Sequence, residues 1–195
     1  MAFHLRAAPA RNLAVTVLLL TIAAVAPTGS ARAGAATSLS VTRYASTSDH
    51  FSLSYPSAWM LDHVQSSDVG QVESSIAPMG IRIGAPDAQA FFVVFVRHSA
   101  TSSAALKAKV IALLKEDATL VGGITFGTVT INGVKYLKGS AIDKISATEQ
   151  ALGYIVAASP GKRTYYAGAA LGLKQTNTTD DNAELAGILA SFKVT

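Results

Sequence analysis

The chain contains no cysteine, which excludes disulfides, thiolate metal sites, a cysteine nucleophile and a lipidated cysteine at a leader's cleavage point. Charge is also scarce, at 14% of residues, and aromatic residues make up 7% with a single tryptophan. The 16 lysines and arginines include Arg6, Arg11 and Arg32, which lie in an N-terminal stretch without any acid. With those three set aside, 13 basic residues face 12 acidic ones. The formal charge of +4 and pI of 9.4 therefore belong mainly to that stretch. What remains is near neutral, with neither the basic surface that nucleic-acid binding requires nor the acidic excess of a disordered chain.

Long apolar runs are missing outside the same stretch. Arg6 and Arg11 precede the run Leu13 to Ala26, and Ala31-Arg32-Ala33 offers a small-x-small cleavage site before Gly34. That order reads as a secretory signal peptide over residues 1–33. The run falls short of the ~20 residues that span hydrocarbon, and Pro27 and Gly29 follow it. Beyond it the longest apolar run, Ala90 to Val96, is too short to cross a bilayer. Residues 34–43 begin with a small, polar segment and read as a flexible lead-in. The rest, residues 44–195, reads as one domain stabilised by burial alone, since a chain of roughly 150 residues buries about 68–70% of its unfolded surface.

Within that domain Phe51, Leu53 and Tyr55 alternate with Ser52 and Ser54, the period of a strand with one buried face. Pro56 ends it, and Trp59 to Val64 is expected to return as the second strand of a hairpin. Gln65 to Pro78 is polar and reads as a loop, with strands resuming at Gly80 to Ile83. Phe91 to Val96 leaves neither face for water, so a central strand covered on both sides is expected.

Two helices can provide cover. Ser103 to Leu120 gathers Leu106, Val110, Ile111, Leu113, Leu114 and Ala118 on one side, with an N-cap at residues 101–103 and a stop at Gly122-Gly123. A second starts at Thr178 or Thr179, places Asp180, Asp181 and Glu184 near its positive end, and buries Leu185, Ile188, Leu189 and Phe192. Between them, Ile124 to Ile131, Val134 to Ile142, Gln150 to Ala158 and Arg163 to Leu173 read as strands. Asn132-Gly133 and Ser159 to Lys162 provide turns that make neighbours antiparallel.

The candidate chemistry is thin. Asp62 and His63, with Asp49, His50 and His98, are the main metal-ligating and acid–base side chains, and they would meet only if Trp59 to Val64 paired with His50 to Tyr55; their spacing matches no zinc motif. Ser159 and Lys162 form a Ser-x-x-Lys without partner motifs, and no Gly-x-Ser-x-Gly elbow occurs. Gly122 to Gly127 lacks the Gly-Lys-Ser/Thr ending of a phosphate loop. Asp180-Asp181 compensates a helix dipole. Asn177-Thr178-Thr179 matches a glycosylation sequon but equally supplies an N-cap. Trp59 and Tyr165-Tyr166 read as packing residues rather than a stacking platform. No catalytic, cofactor or metal residue is assigned.

Taken together, Phe51-Ser-Leu-Ser-Tyr-Pro-Ser-Ala-Trp59, the Asn-Gly hairpin with Gly133 and Tyr136, and the ending Ile188-Leu-Ala-Ser-Phe192 resemble the PsbP-like family over about residues 44–194. The resemblance implies an α+β fold, a three-layer α/β/α sandwich with a mostly antiparallel central sheet. It also implies a protein-binding role, since that family includes photosystem II extrinsic subunits, a nuclear-import cofactor that binds a small GTPase, and bacterial envelope proteins. The matching residues are structural, so no binding residue carries over. The chain lacks a lipobox cysteine and a plant transit peptide. The expected function is therefore that of an exported, bacterial, non-enzymatic domain that engages an envelope or extracellular protein and needs no cofactor. A small-molecule or metal binder is the alternative, and a hydrolase with a triad assembled in space comes after it.

Overall fold

The strand signal of Phe51 to Pro56 has the expected physical outcome, with Phe51 and Leu53 buried on one side of strand β2 (Phe51–Pro56). The computed structural model describes residues 40–65, 75, 79–116, 118–173 and 178–195. The leader, the start of the lead-in, almost all of the loop expected from Gln65 to Pro78, and Asn177 of the sequon lie outside the described residues.

The pairing of β2 departs from the sequence expectation. It pairs antiparallel with β1 (Val41–Ser46), so Val41 to Arg43 are strand residues rather than part of a flexible lead-in. Strand β3 (Met60–Gln65) pairs instead with β4 (Met79–Gly84), in a different sheet. The expected hairpin between residues 51–56 and 59–64 does not form. Pro56 has no N–H to extend a ladder, and after it the turn closed by Trp59 N–H donating to the Pro56 carbonyl carries the chain across to the other sheet.

The larger sheet has seven strands in the order β3-β4-β5-β9-β8-β7-β6, all neighbours antiparallel. Its remaining members are β5 (Ala90–Arg97), β6 (Thr125–Ile131), β7 (Val134–Lys144), β8 (Gln150–Ala158) and β9 (Thr164–Gly172). The turn between β6 and β7 sets Ile131 opposite Val134, with Asn132 at φ 47° and Gly133 at φ 82°. This is the positive-φ pair that a two-residue hairpin demands.

Strand β5 is buried on both faces, as its composition requires. Ala90, Phe92, Val94 and Val96 join one apolar cluster, while Val93 and Phe95 join a second. Helix α1 (Ser103–Lys115) supplies Leu106, Val110, Leu113 and Leu114 to the second cluster. It approaches so closely that a Cβ built at Gly139 would lie 2.6 Å from Val110 Cγ1. On the other face the cover is shared. Helix α2 (Thr178–Ser191) contributes Leu185 and Ile188, and β2 contributes Phe51 and Leu53. A two-residue strand, β10 (Lys193–Val194), completes the small sheet in the order β1-β2-β10. The described residues thus form an α+β fold, with two antiparallel sheets and two helices among them.

Helix α1 is shorter than its periodicity predicts. It starts as expected, with the Ser102 hydroxyl accepting from Ala105 N–H at 3.4 Å, but ends at Lys115 rather than Leu120, with Glu116 already extended at ψ 115°. The following residues find strand-like partners instead. Val121 N–H donates to the Ile142 carbonyl and Lys144 N–H to the Thr119 carbonyl, both at 2.8 Å. Gly122, at φ 83°, therefore follows this extension rather than stopping the helix.

Candidate functional site

The candidate ligand residues fall into three separate places. Asp62 and Arg82, directly opposite each other on β3 and β4, form an exposed ion pair at 3.2 Å. His63 packs edge-on to Tyr44 with ring centroids 6.3 Å apart. Asp49 and His98 do meet, His98 Nε2 lying 2.8 Å from Asp49 Oδ1. Among the described residues no group of three or more His, Asp or Glu side chains is arranged to hold a metal ion. The convergence that would have followed from a β2–β3 hairpin is lost with that hairpin.

The Asp49–His98 pair sits where the β1–β2 turn meets one end of the large sheet. His50 holds φ 56° in that turn. Tyr165 donates its hydroxyl to the Asp49 carbonyl at 3.0 Å, and Thr195 N–H donates to the His50 carbonyl at 2.9 Å. The Asp49 carboxylate also accepts from the Ser46 hydroxyl at 2.8 Å. Burial pushes the Asp49 carboxyl up, but hydrogen bonds from His98 and Ser46 and the nearby His98 charge outweigh it, and the net shift is downward.

Ser, Asp and His are therefore within hydrogen-bonding reach here, in an order that does not make a nucleophile. In a catalytic triad the imidazole stands between serine and carboxylate and takes the serine proton. Here the carboxylate stands between Ser46 and His98, and a carboxylate held below its usual pKa range is a weak base toward a hydroxyl. The arrangement suits a clasp between sheets.

A group whose folded pKa is depressed stabilises the fold above its unfolded pKa, about 3.9 for aspartate. That contribution is lost as pH falls through the lower folded value. Because His98 is 60% exposed, solvent screening limits the effect to about 0.5–1 kcal/mol. Asp49→Asn should lower stability by that amount near neutral pH, and the deficit should shrink as pH falls below about 3.9 toward the lower folded value. Urea unfolding near neutral pH and below about pH 3.9 checks this, and an equal deficit at both would contradict it.

The other sequence candidates resolve into structural roles. The Ser159 hydroxyl accepts from Thr101 N–H at 3.0 Å and lies 3.0 Å from Thr164 Oγ1, tying the loop before α1 to the β8–β9 turn. Tyr165 and Tyr166 point to opposite faces of the sheet and both are buried. Trp59 is buried and donates Nε1–H to Glu184 Oε2 at 2.7 Å. Asp181 lies beside Asp180 in the first turn of α2, where burial and then repulsion from Asp87, Glu184 and Asp180 push its carboxyl up.

Two cavities bear on ligand binding. An apolar cleft of ≈40 Å³ between the end of α1 and strands β7 to β9 is lined by Leu113, Leu114, Leu120, Tyr154 and Ile155. Organic ligands usually occupy about 300–1,000 Å³, so this cleft is too small for one. A polar cavity of ≈260 Å³ lies at the small sheet and is lined by Arg43, Ser52, Ser54, Asn132, Ser191 and Lys193, among others. None of these six was a site candidate in the sequence, because they come from four separate segments. The one available signal was the pairing of Ser52 and Ser54 at period two on the face of β2 away from the core.

No family model and no curated protein sequence matches the chain. Solved structures do. A crystal structure from Bacteroides thetaiotaomicron is 13% identical with a TM-score of 0.50 over 78% of this chain, which spans about half (48%) of that protein. The cyanobacterial PsbP (CyanoP) of Synechocystis is 12% identical with a TM-score of 0.53, covering 85% of this chain and 98% of CyanoP. The Ran-binding protein Mog1p of Saccharomyces cerevisiae is 9% identical with a TM-score of 0.51, covering 80% and 96%. Identities this low speak for the fold alone. The chain has a PsbP-like fold.

Proposed function

We propose that this chain is an exported, non-enzymatic binding domain that engages a protein partner of the cell envelope or extracellular space. In this reading residues 1–33 are a signal peptide removed before Gly34, residues 34–40 lead in, and the single PsbP-like domain starts with β1 at Val41 rather than at Tyr44. Helix α1, the seven-strand sheet, and α2 with the small sheet are its three layers. No cofactor is required, and Ser46, Asp49 and His98 serve as a clasp.

The observation that carries the proposal is a rim with bare edges and apolar side chains. Strands β1 and β3 each end their sheet among the described residues. Val41 on β1 and Met60 on β3, each 67% exposed, flank the turn that links the two sheets. Unpaired strand edges present backbone donors and acceptors to another chain, and exposed large apolar side chains beside them add area that a partner can bury. The Mog1p neighbour, a Ran-binding protein, is one case in which a related fold binds protein.

A photo-crosslinking residue placed at position 41 or 60 of the full chain, expressed in its own host, should trap one and the same protein. Placement at Ala104, exposed on α1, should not. With the crosslinking residue at position 41, Met60→Asp should abolish the adduct, as should Val41→Asp with it at position 60. Equal trapping from position 104, or adducts indifferent to both substitutions, would sink this assignment of the surface. The mature protein recovered outside the cytoplasm should begin at Gly34 by intact mass.

A further inference from the structure

We infer that the polar cavity at the small sheet is a binding site for a small, doubly charged tetrahedral oxyanion, of the phosphate or sulfate class. The inference does not depend on the partner-binding rim, and either can fail without the other.

The register places the donors. Arg43 on β1 lies directly opposite Ser54 on β2, and Lys193 on β10 lies directly opposite Ser52. Residues directly opposite share a sheet face with Cβ atoms about 4.5–5.5 Å apart, and Ser52 and Ser54, two residues apart, share that face as well. Phe51 and Leu53 occupy the other face, in the core. Four donors thus ring one opening: a guanidinium, an ammonium and two hydroxyls.

Their hydrogen-bonding state points to a ligand. Ser52 is only 5% exposed, yet it lines the cavity and its hydroxyl has no hydrogen-bond partner among the described residues. The hydroxyl opens onto the cavity, where it is free to donate to a bound oxygen. Arg43 and Lys193 take part in no ion pair among the described residues, and no acidic residue lines the cavity.

The neutral wall residues have their donors committed elsewhere. Asn132 donates Nδ2–H to the carbonyls of Ala190 and Phe192, at 3.1 and 2.8 Å. Those contacts cap the carbonyl end of α2, which would otherwise repel an anion. The Ser191 hydroxyl accepts from Ser54 N–H at 2.8 Å and lies 2.7 Å from the Ile188 carbonyl, to which it donates.

Two unpaired cations without a neighbouring acid match a dianion, whereas a monocarboxylate would leave one cation uncompensated. Guanidinium and ammonium groups make charge-assisted hydrogen bonds to phosphate oxygens, and the guanidinium can do so through two N–H groups at once. The cavity volume of ≈260 Å³ holds such an anion with water, or the end group of a phosphate ester.

The test is an NMR titration of the full chain with inorganic phosphate, sulfate, glycerol phosphate, acetate and chloride at matched ionic strength. Phosphate and sulfate should give saturable shifts at the amides of Ser52, Ser54 and Lys193, with acetate at least about tenfold weaker. Arg43→Gln, on an exposed side chain that leaves the core intact, should weaken phosphate binding about tenfold or more, as should Lys193→Gln. Ser52→Ala should weaken it severalfold. Binding of glycerol phosphate alongside inorganic phosphate supports an ester as the natural ligand, and binding of inorganic phosphate alone supports the free anion. Shifts shared equally by acetate or chloride, or unchanged by Arg43→Gln and Lys193→Gln, would overturn the site.

Discussion

Replacing Phe192 by alanine should destabilise the protein by about 3–5 kcal/mol, the usual range for truncating a buried phenylalanine. The side chain is fully buried, and its ring is the hub of an aromatic group, with centroids 5.6 Å from Phe51, 6.2 Å from Tyr136 and 6.3 Å from Tyr165. Those partners come from β2, β7 and β9, so this one ring joins the small sheet to the large one. Its backbone matters as well, because the Phe192 carbonyl accepts from Asn132 at the tip of the β6–β7 hairpin. Phe192→Leu keeps much of the apolar volume and the backbone contact, and should cost clearly less. Chemical denaturation of both variants gives the comparison. An alanine variant within about 1 kcal/mol of the parent would mean that the ring does not hold the two sheets together.

The second large effect is expected at Trp59, where alanine should again cost about 3–5 kcal/mol. The indole is 5% exposed and belongs to the same core cluster as Phe192. Its Nε1–H donates to Glu184 at 2.7 Å, pinning the start of β3 to helix α2. A hydrogen bond to a charged acceptor contributes about 1.5–3 kcal/mol when sheltered. Glu184 is half-buried, which brings the expectation to about 1 kcal/mol. A double-mutant cycle of Trp59→Phe and Glu184→Ala isolates that coupling. The cycle is needed because Glu184 also helps to push the Asp181 carboxyl up, so Glu184→Ala alone mixes a lost contact with relieved repulsion. Zero coupling would show that the indole contributes by packing only.

Much of the fold was legible because local periodicity and turn chemistry act over a few residues. The bounds Gln150–Ala158 of β8 match the sequence expectation, and the Asn132-Gly133 turn has the backbone that its residue types favour. Strand β5 was readable as doubly buried from its run of large apolar residues. The central strand β9 was not readable as central. All nine of its residues are buried, but Ala167, Gly168, Ala169 and Ala170 carry little apolar mass, so composition understates their burial. Small side chains suit a strand with helix α2 over one face, and that demand comes from the packing partner, not from the strand's own period.

The candidate sites show a sharper division. Histidines and aspartates attract attention in a sequence because their chemistry is known in advance. Their placement depended on whether residues 51–56 and 59–65 pair with each other, a non-local choice that alternation cannot express. Once β3 joined β4, Asp62 took Arg82 as partner and only Asp49 and His98 remained together. The cavity donors were hidden for the opposite reason. Arg43, Ser52, Ser54 and Lys193 are ordinary surface types in sequence, and only the three-strand register sets them side by side.

The sequence by itself determined strands β2 to β9, the start of each helix, the tight turns and the two aromatic anchors, but not β1 or β10, because each feature it determined is fixed by interactions within a few residues or by the drive to bury a large apolar group. Which strand pairs with which, where α1 stops and which polar groups converge were decided by tertiary structure. Those outcomes turn on competition between distant partners for the same backbone and side-chain groups, and a linear pattern carries no record of it.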